Sequence, residues 1–297
     1  MTPDPAPYRG RFAPSPSGPL HAGSIVAALA SYVDARAHRG TWLIRIEDLD
    51  APRVVAGAAE HIIDQLDRLG LYADAPIVWQ SRRLDLYKQQ FERLRQAQRV
   101  YGCACSRKDI AEALAALKRR PAHKDAESPY PGTCRNGTGG RTPRAWRFRV
   151  EAGEVGFVDR WYGPCQQDAG QALGDFVLLR ADGIWSYQWA VVIDDIDQAI
   201  TDVVRGEDLL SSTPRQILLY QALGQTAPRW MHVPVLKNAL GQKLSKQTGA
   251  PEVDVSRPQT ALNAAWRALG MQPFDAASTQ AWLRCATEAW RERWRID

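Results

Sequence analysis

The stretch RFAPSPSGPLHAGS, residues 11–24, decides how the rest of the chain is read. Prolines at 14, 16 and 19 fix φ and remove three backbone donors, so the segment is a stiff loop. Directly after it, Ile25, Val26, Leu29, Ala30, Val33 and Ala37 recur at helical spacing, and Gly40 ends the run. A rigid turn ending in His-Ala-Gly-Ser at a helix start is a place to hold an anion, because that terminus presents N–H groups and the positive dipole end. On these residues alone, a well-packed Pro-rich connection between strand and helix accounts for the pattern equally well.

Outward from this loop, TWLIRIEDLD (41–50) reads as a strand ending in Glu47, Asp48 and Asp50. Strand, loop, helix and strand make a βαβ unit, hence a parallel sheet with a right-handed crossover. Ligands of such sheets lie beyond the carboxyl ends of the strands, where both the opening loop and Glu47 fall. Helical patterns follow over 55–69, 82–99 and 107–119, then a loop rich in Pro, Gly and charge to about 143. RAWRFRV (144–150) alternates like a strand of an inserted segment, and IWSYQWAVVIDDIDQ (184–198) reads as a buried strand ending in acids. VVRGEDLLSSTPRQILLYQALG gives a loop and a helix, and MHVPVLKN a short strand. The last 50 or so residues read as helices bearing Trp266, Trp282, Trp290 and Trp294. Since Trp282, Ala286, Trp290 and Trp294 repeat at i+4, a packing stripe is preferred over stacking on RNA.

Apolar residues make up 45% and charged residues 24% of the 297, the balance of an ordinary globular chain. No apolar run reaches bilayer length and MTPDPAPYRG has no signal-peptide core, so a cytoplasmic protein with no membrane partner is expected. The net charge of +5 permits a nucleic-acid partner without demanding one. Five cysteines, an odd number, argue against a disulfide framework.

Two further clusters carry chemistry. GQKLSKQTG (241–249) sets Lys243 and Lys246 around Ser245 between glycines, which suits a transient, highly charged species such as departing pyrophosphate. Neither a Walker A sequence nor GxGxxG is present. Cys103, Cys105 and Cys134 form CxC…YxxxC with Tyr130, and three thiols in a reducing compartment point to zinc with a fourth ligand required. His123 is the chemically easier fourth ligand, because a phenol must be deprotonated against a pKa near 10. Cys165 and Cys285 have no visible partners.

At this point the chain resembles the class I aminoacyl-tRNA synthetases, and within them the glutamyl group. PSPSGPLHAGS is similar to their HIGH motif, KLSKQ to KMSKS, RIEDLD to RIEDTD and VVRGEDLL to RGxDLL, in order over roughly residues 9–250. Ser24 stands at the fourth motif position, where that family has a second His, and KLSKQ carries Leu244 and Gln247. The resemblance implies an α/β fold: a Rossmann-like catalytic domain with a parallel sheet, a zinc-bearing insertion and a short C-terminal helical segment. Its expected parts are 1–100 and 181–250 for the two catalytic halves, 101–180 for the insertion, and 251–297 for the helices, with no anticodon-binding domain.

Position by position, the resemblance implies catalytic roles for His21, Lys243 and Lys246, and ATP binding by His21, Gly23, Ser24 and Lys246. It implies a glutamate pocket of Arg11, Phe12, Ala13, Pro14, Ser15, Glu47, Tyr187 and Arg205. There the two guanidinium forks would meet carboxylates and Glu47 the ammonium. Arg205 would favour a side-chain carboxylate over an amide. The short C-terminal part, KLSKQ and CxC…YPGTC together resemble the glutamyl-queuosine tRNA(Asp) synthetase family, short paralogues in which Tyr takes the fourth zinc position. That likeness selects Tyr130 beside Cys103, Cys105 and Cys134, with one Zn2+ per chain and Mg2+ accompanying ATP. It further implies a monomer whose substrates are ATP, L-glutamate and queuosine-modified tRNA(Asp). Glutamate would be activated without tRNA and then moved to the modified base at the first anticodon position. The motifs leave open a catalytic fragment of a glutamyl-tRNA(Glu) synthetase, or a non-enzymatic RNA-binding protein on a synthetase fold.

Overall fold

The computed structural model describes residues 6–117, 129–236 and 251–297. β1 (Arg9–Phe12) leads through the proline loop to α1 (Ala22–Ala37) and then to β2 (Thr41–Ile46), which pairs with β1 in parallel. The expected βαβ unit is therefore present. α1 is almost wholly buried, and its turn into β2 is set by a close approach. A Cβ on Gly40 would lie 2.4 Å from the Tyr8 carbonyl oxygen, so no larger residue fits there.

Next come α2 (Ala58–Arg68), β3 (Val78–Trp79), which extends the β1–β2 sheet in parallel, and α3 (Leu84–Gln96). A separate antiparallel sheet joins β4 (Val100–Cys103), β5 (Ala145–Phe148) and β8 (Val177–Leu179), with α4 (Arg107–Ala116) following β4. β6 (Glu154–Asp159) and β7 (Gly163–Asp168) form a hairpin. Its first strand also meets β10 (Arg229–Val233), and β10 pairs in parallel with β9 (Asp202–Gly206). Thr201, just before β9, donates its N–H to the Arg9 carbonyl at 2.9 Å, so β9 starts beside β1.

The reading of 184–198 as a strand is overturned: Tyr187–Asp197 is a helix, α5. Ser186 caps it, accepting from the Trp189 N–H, and Trp189 through Asp195 are all buried. A helix enclosed on every side by α3, α6 (Thr213–Ala222) and β8 needs no polar face. Its apolar run then has the same look as a buried strand.

α7 (Pro258–Ala268) and α8 (Thr279–Trp294) close the described chain and pack on α1. Trp282, Ala286 and Trp290 are fully buried, which bears out the packing stripe. The junction is polar at one point. Asp34 on α1 accepts from Tyr8 Oη at 2.6 Å, from Arg160 at 2.6 and 2.8 Å, and from Trp290 Nε1 at 2.9 Å. Burial alone would raise the Asp34 carboxyl, but the Arg160 guanidinium overrides it and holds the acid below the usual carboxylate range. Among the described residues no helix is long and apolar enough to cross a membrane.

Candidate active site

The proline loop, the carboxyl ends of β1, β2 and β9, and the first turns of α1 and α5 enclose a cleft of about 600 Å³. Arg11, Phe12, Ala13, Pro14, Ser15, His21, Gly23, Ser24, Glu47, Tyr187 and Arg205 all line it. Residues up to 194 positions apart thus meet where a parallel sheet is expected to hold its ligand. Lys243, Lys246 and His123 lie outside the described residues.

At one end of the cleft stands the N-terminus of α1. His21 is its N-cap, and its Nδ1 accepts from the Ser24 N–H at 3.3 Å. In the neutral ring this assigns the proton to Nε2. The first turn of α1 carries no acidic residue, so nothing there cancels the positive dipole end. His21 also forms a backbone bridge with Glu252, and Val253 donates to the Leu20 carbonyl at 3.1 Å. The chain following the lysine motif is thereby fastened to the same loop.

At the other end lie the charged groups. Arg11 is buried and grips Asp195 of α5 with Nε at 3.0 Å and Nη2 at 3.3 Å. Arg45, fully buried on β2, reaches Asp195 at 2.8 Å, Asp194 at 3.6 Å and Glu47 at 3.4 Å. Asp194 in turn accepts from Gln80, Arg83 and Tyr87. Adjacent positions of a strand would point to opposite faces, whereas on α5 both acids reach Arg45. Glu47 is placed by its own N–H, which donates to the Pro14 carbonyl at 3.0 Å. Burial pushes its carboxyl up to about 7, with Arg45 and Arg11 opposing and Asp194 and Asp195 adding to the rise.

Arg205 differs from the other two buried arginines. Its donors go to His232 Nε2 (3.0 Å), Tyr187 Oη (3.2 Å), Gln216 Oε1 (2.9 Å), the Leu209 carbonyl (3.3 Å) and Thr213 Oγ1 (2.8 Å). Every one of these acceptors is neutral, and among the described residues no carboxylate lies within ion-pair distance. A guanidinium that is 5% exposed and lacks a contacting counter-charge is prepared for an anionic ligand.

Away from the cleft, the Cys103, Cys105 and Cys134 sulfurs lie within 4.8 Å of one another. Tyr130 Oη is 3.3 Å from both Cys103 and Cys105 Sγ, and Cys105 and Cys134 Sγ are 3.5 Å apart. Three thiols and a phenol oxygen converging this tightly fit a four-coordinate zinc. Burial raises the Cys134 thiol, yet the Ala104 N–H, the Tyr130 hydroxyl and its sulfur neighbours bring it down to about 7. All five cysteines are unpaired by disulfides.

Sequence reasoning missed Asp194, Asp195 and Arg45 as one network, and Asp159 and His232 behind Arg205. The two acids were visible at the end of the 184–198 run, but a strand reading hid their common direction. A lone histidine in MHVPV offers no spacing signal at all.

Residues 8–276 match the family described as tRNA synthetases class I (E and Q), catalytic domain. A Bordetella bronchiseptica protein named glutamyl-Q tRNA(Asp) synthetase is 56% identical over 96% of this chain and 89% of its own length. One of the same name from Cupriavidus metallidurans is 54% identical over 97% and 92%. Among solved structures, a glutamate tRNA ligase from Elizabethkingia meningosepticum in complex with its amino acid superposes with a TM-score of 0.69 at 30% identity. That match covers 82% of this chain and 52% of the ligase, so the chain spans about half the length of that larger enzyme. Motifs, cleft and relatives agree: the chain belongs to the class I tRNA synthetases of the E and Q type, in the branch named glutamyl-Q tRNA(Asp) synthetase.

Proposed function

We propose that this protein activates L-glutamate with ATP, without tRNA, and transfers the glutamyl group to queuosine at the first anticodon position of tRNA(Asp). The observation that carries the reading is the pairing of Arg205, a buried cation with neutral acceptors only, with Glu47 in one cleft at the head of α1. A side-chain carboxylate answers the first and an α-ammonium the second. Ser15 and Tyr187 complete the pocket walls, with Phe12, Ala13 and Pro14 giving its apolar floor. Arg11, already committed to Asp195 by two of its nitrogens, acts mainly by fixing α5 against β1 and adds positive potential to the pocket.

In the first step a glutamate α-carboxylate oxygen attacks the α-phosphorus of ATP and pyrophosphate leaves. His21, Gly23 and Ser24 hold the phosphates at the helix terminus, where N–H groups and the Nε2 proton of His21 meet developing negative charge. Lys243 and Lys246 neutralise the departing pyrophosphate, and Mg2+ accompanies the nucleotide. In the second step a hydroxyl of the cyclopentenediol of queuosine attacks the carbonyl of the mixed anhydride, and AMP leaves. Cys103, Cys105, Cys134 and Tyr130 would hold a zinc ion, which would tie the chain around 103–105 to the 129–137 loop without taking part in the reaction. The protein acts as a monomer in the cytoplasm.

The test is two assays in parallel. Glutamate should support ATP–pyrophosphate exchange without RNA, and should label tRNA(Asp) bearing queuosine but not the unmodified form. Periodate, which cleaves vicinal diols, should abolish the label. Charging of unmodified tRNA(Glu) at its 3′ end at a comparable rate would refute the proposal in favour of an ordinary glutamyl enzyme fragment.

A further inference from the structure

Behind Arg205, on the side away from the cleft, lies a chain of contacts that the reaction scheme does not use. His232 on β10 is the register partner of Arg205 on β9, and its side chain is wholly buried. Its Nδ1 lies 2.6 Å from Asp159 Oδ2 and its Nε2 3.0 Å from Arg205 Nε. Asp159 is itself immobilised. It accepts backbone N–H groups from Trp161 and Tyr162 at 3.0 Å each, and from His232 at 3.1 Å.

These contacts fix the imidazole's tautomer. A guanidinium Nε–H can only donate, so His232 Nε2 must present its lone pair and Nδ1 must carry the proton towards Asp159. Burial favours the neutral ring, with Arg205 acting the same way and Asp159 opposing. Arg205 is further confined by Trp230, whose ring centroid lies 4.9 Å from its Cζ.

A carboxylate in direct contact with Arg205 would hold it equally firmly but would also neutralise it. Here the acid stands one ring further back. We propose that His232, held in one tautomer by Asp159, is a positioning residue that aims Arg205 through a neutral acceptor and leaves its charge to be met by the substrate's side-chain carboxylate. His232 would then set the preference for glutamate over glutamine without touching either. The inference rests on the reading of Arg205 as the residue that meets that carboxylate.

Steady-state pyrophosphate exchange on the full chain tests it, with glutamate, glutamine and ATP varied separately. His232→Phe keeps ring volume but removes the polar contacts to Asp159, Arg205 and Thr213, the last 3.2 Å from Nε2. It should raise the KM for glutamate about tenfold or more, the scale of one hydrogen bond to a charged group, with the KM for ATP within about twofold. His232→Gln places an amide oxygen near the Nε2 position and should restore much of the loss. His232→Asn, which keeps only the donor to Asp159, should not. Asp159→Asn turns an amide nitrogen towards Nδ1, favours the wrong tautomer and should resemble His232→Phe in its effect on glutamate.

If His232→Phe is unstable, the Gln and Asn pair decides alone. Equal KM values for glutamate in those two variants, or parallel changes in the KM for glutamate and ATP, would overturn the inference. Arg205→Ala separates the two layers. Should it leave the KM for glutamate unchanged, the reading of Arg205 fails and the inference with it. If it abolishes glutamate selectivity while the His232 variants behave as wild type, only the inference fails.

Discussion

Glu47→Gln preserves the shape of a nearly buried side chain and removes its charge, which makes it the sharpest probe of amino-acid binding. In the free protein burial pushes the Glu47 carboxyl up to about 7. Only the ionised form attracts an ammonium, and apparent affinity falls with the fraction of competent sites. At pH 6 roughly one site in eleven is ionised and at pH 8 about ten in eleven, so the wild-type KM for glutamate should fall about tenfold across that range. Gln titrates nowhere here, so its profile should be flat. At pH 8 the variant loses a charge-assisted contact of about 1.5–3 kcal/mol, which raises the KM roughly 10- to 150-fold. Linkage adds an independent check. A carboxyl raised in the folded state binds protons that the unfolded chain has lost, so it lowers stability as pH rises from its ordinary value towards 7. Glu47→Gln should therefore melt no lower than wild type at pH 8, although Arg45 loses one of three acidic neighbours. Initial-rate exchange at pH 6, 7 and 8, with a thermal melt at each, gives all these quantities. A variant KM within about twofold of wild type at pH 8, or a pH dependence that survives the substitution, would refute the argument.

The zinc proposal predicts about one metal ion per chain by elemental analysis, lost in Cys103→Ser and weakened in Tyr130→Phe. Protein purified without chelator and found empty would count against it. Asp34→Ala strands Arg160, Tyr8 and Trp290 together, a loss of about 3–5 kcal/mol that should lower the melting midpoint by roughly 10 °C. Because Arg160 holds this acid below its usual value, the gap between variant and wild type should narrow as pH falls below the ordinary aspartate range. A constant gap in acid would refute that account.

Which parts of the molecule were legible in its sequence follows from the range of the forces involved. The loop at 11–24, α1 and β2 were readable because proline, the apolar period and Gly40 act within a few residues. α5 was misread because burial on all sides erases the polar face that distinguishes a helix. Glu47 and Arg205 stood out only through short motifs, yet the structure brings both to one cleft. What surrounds them was hidden. The alternation of charge through Arg11, Asp195, Arg45 and Glu47 spans about 180 residues, and no local pattern encodes such a pairing. The Cys103, Cys105 and Cys134 cluster was an intermediate case, since thiol spacing named the donors while their mutual approach became visible only in three dimensions.

Asp34 joins α1 to Tyr8 near the start of the chain and to Trp290 near its end. During synthesis these partners emerge far apart in time. When α1 has left the ribosome, α7 and α8, which cover it, are still more than 200 residues away. Until then the face of α1 that packs on α7 and α8 lacks that cover, although β1, β2, β9 and β10 can already pack on the rest of the helix. Long-range closure of this kind slows folding and leaves sticky intermediates. The helix whose first turn lines the cleft is thus among the first to be made and among the last to be secured.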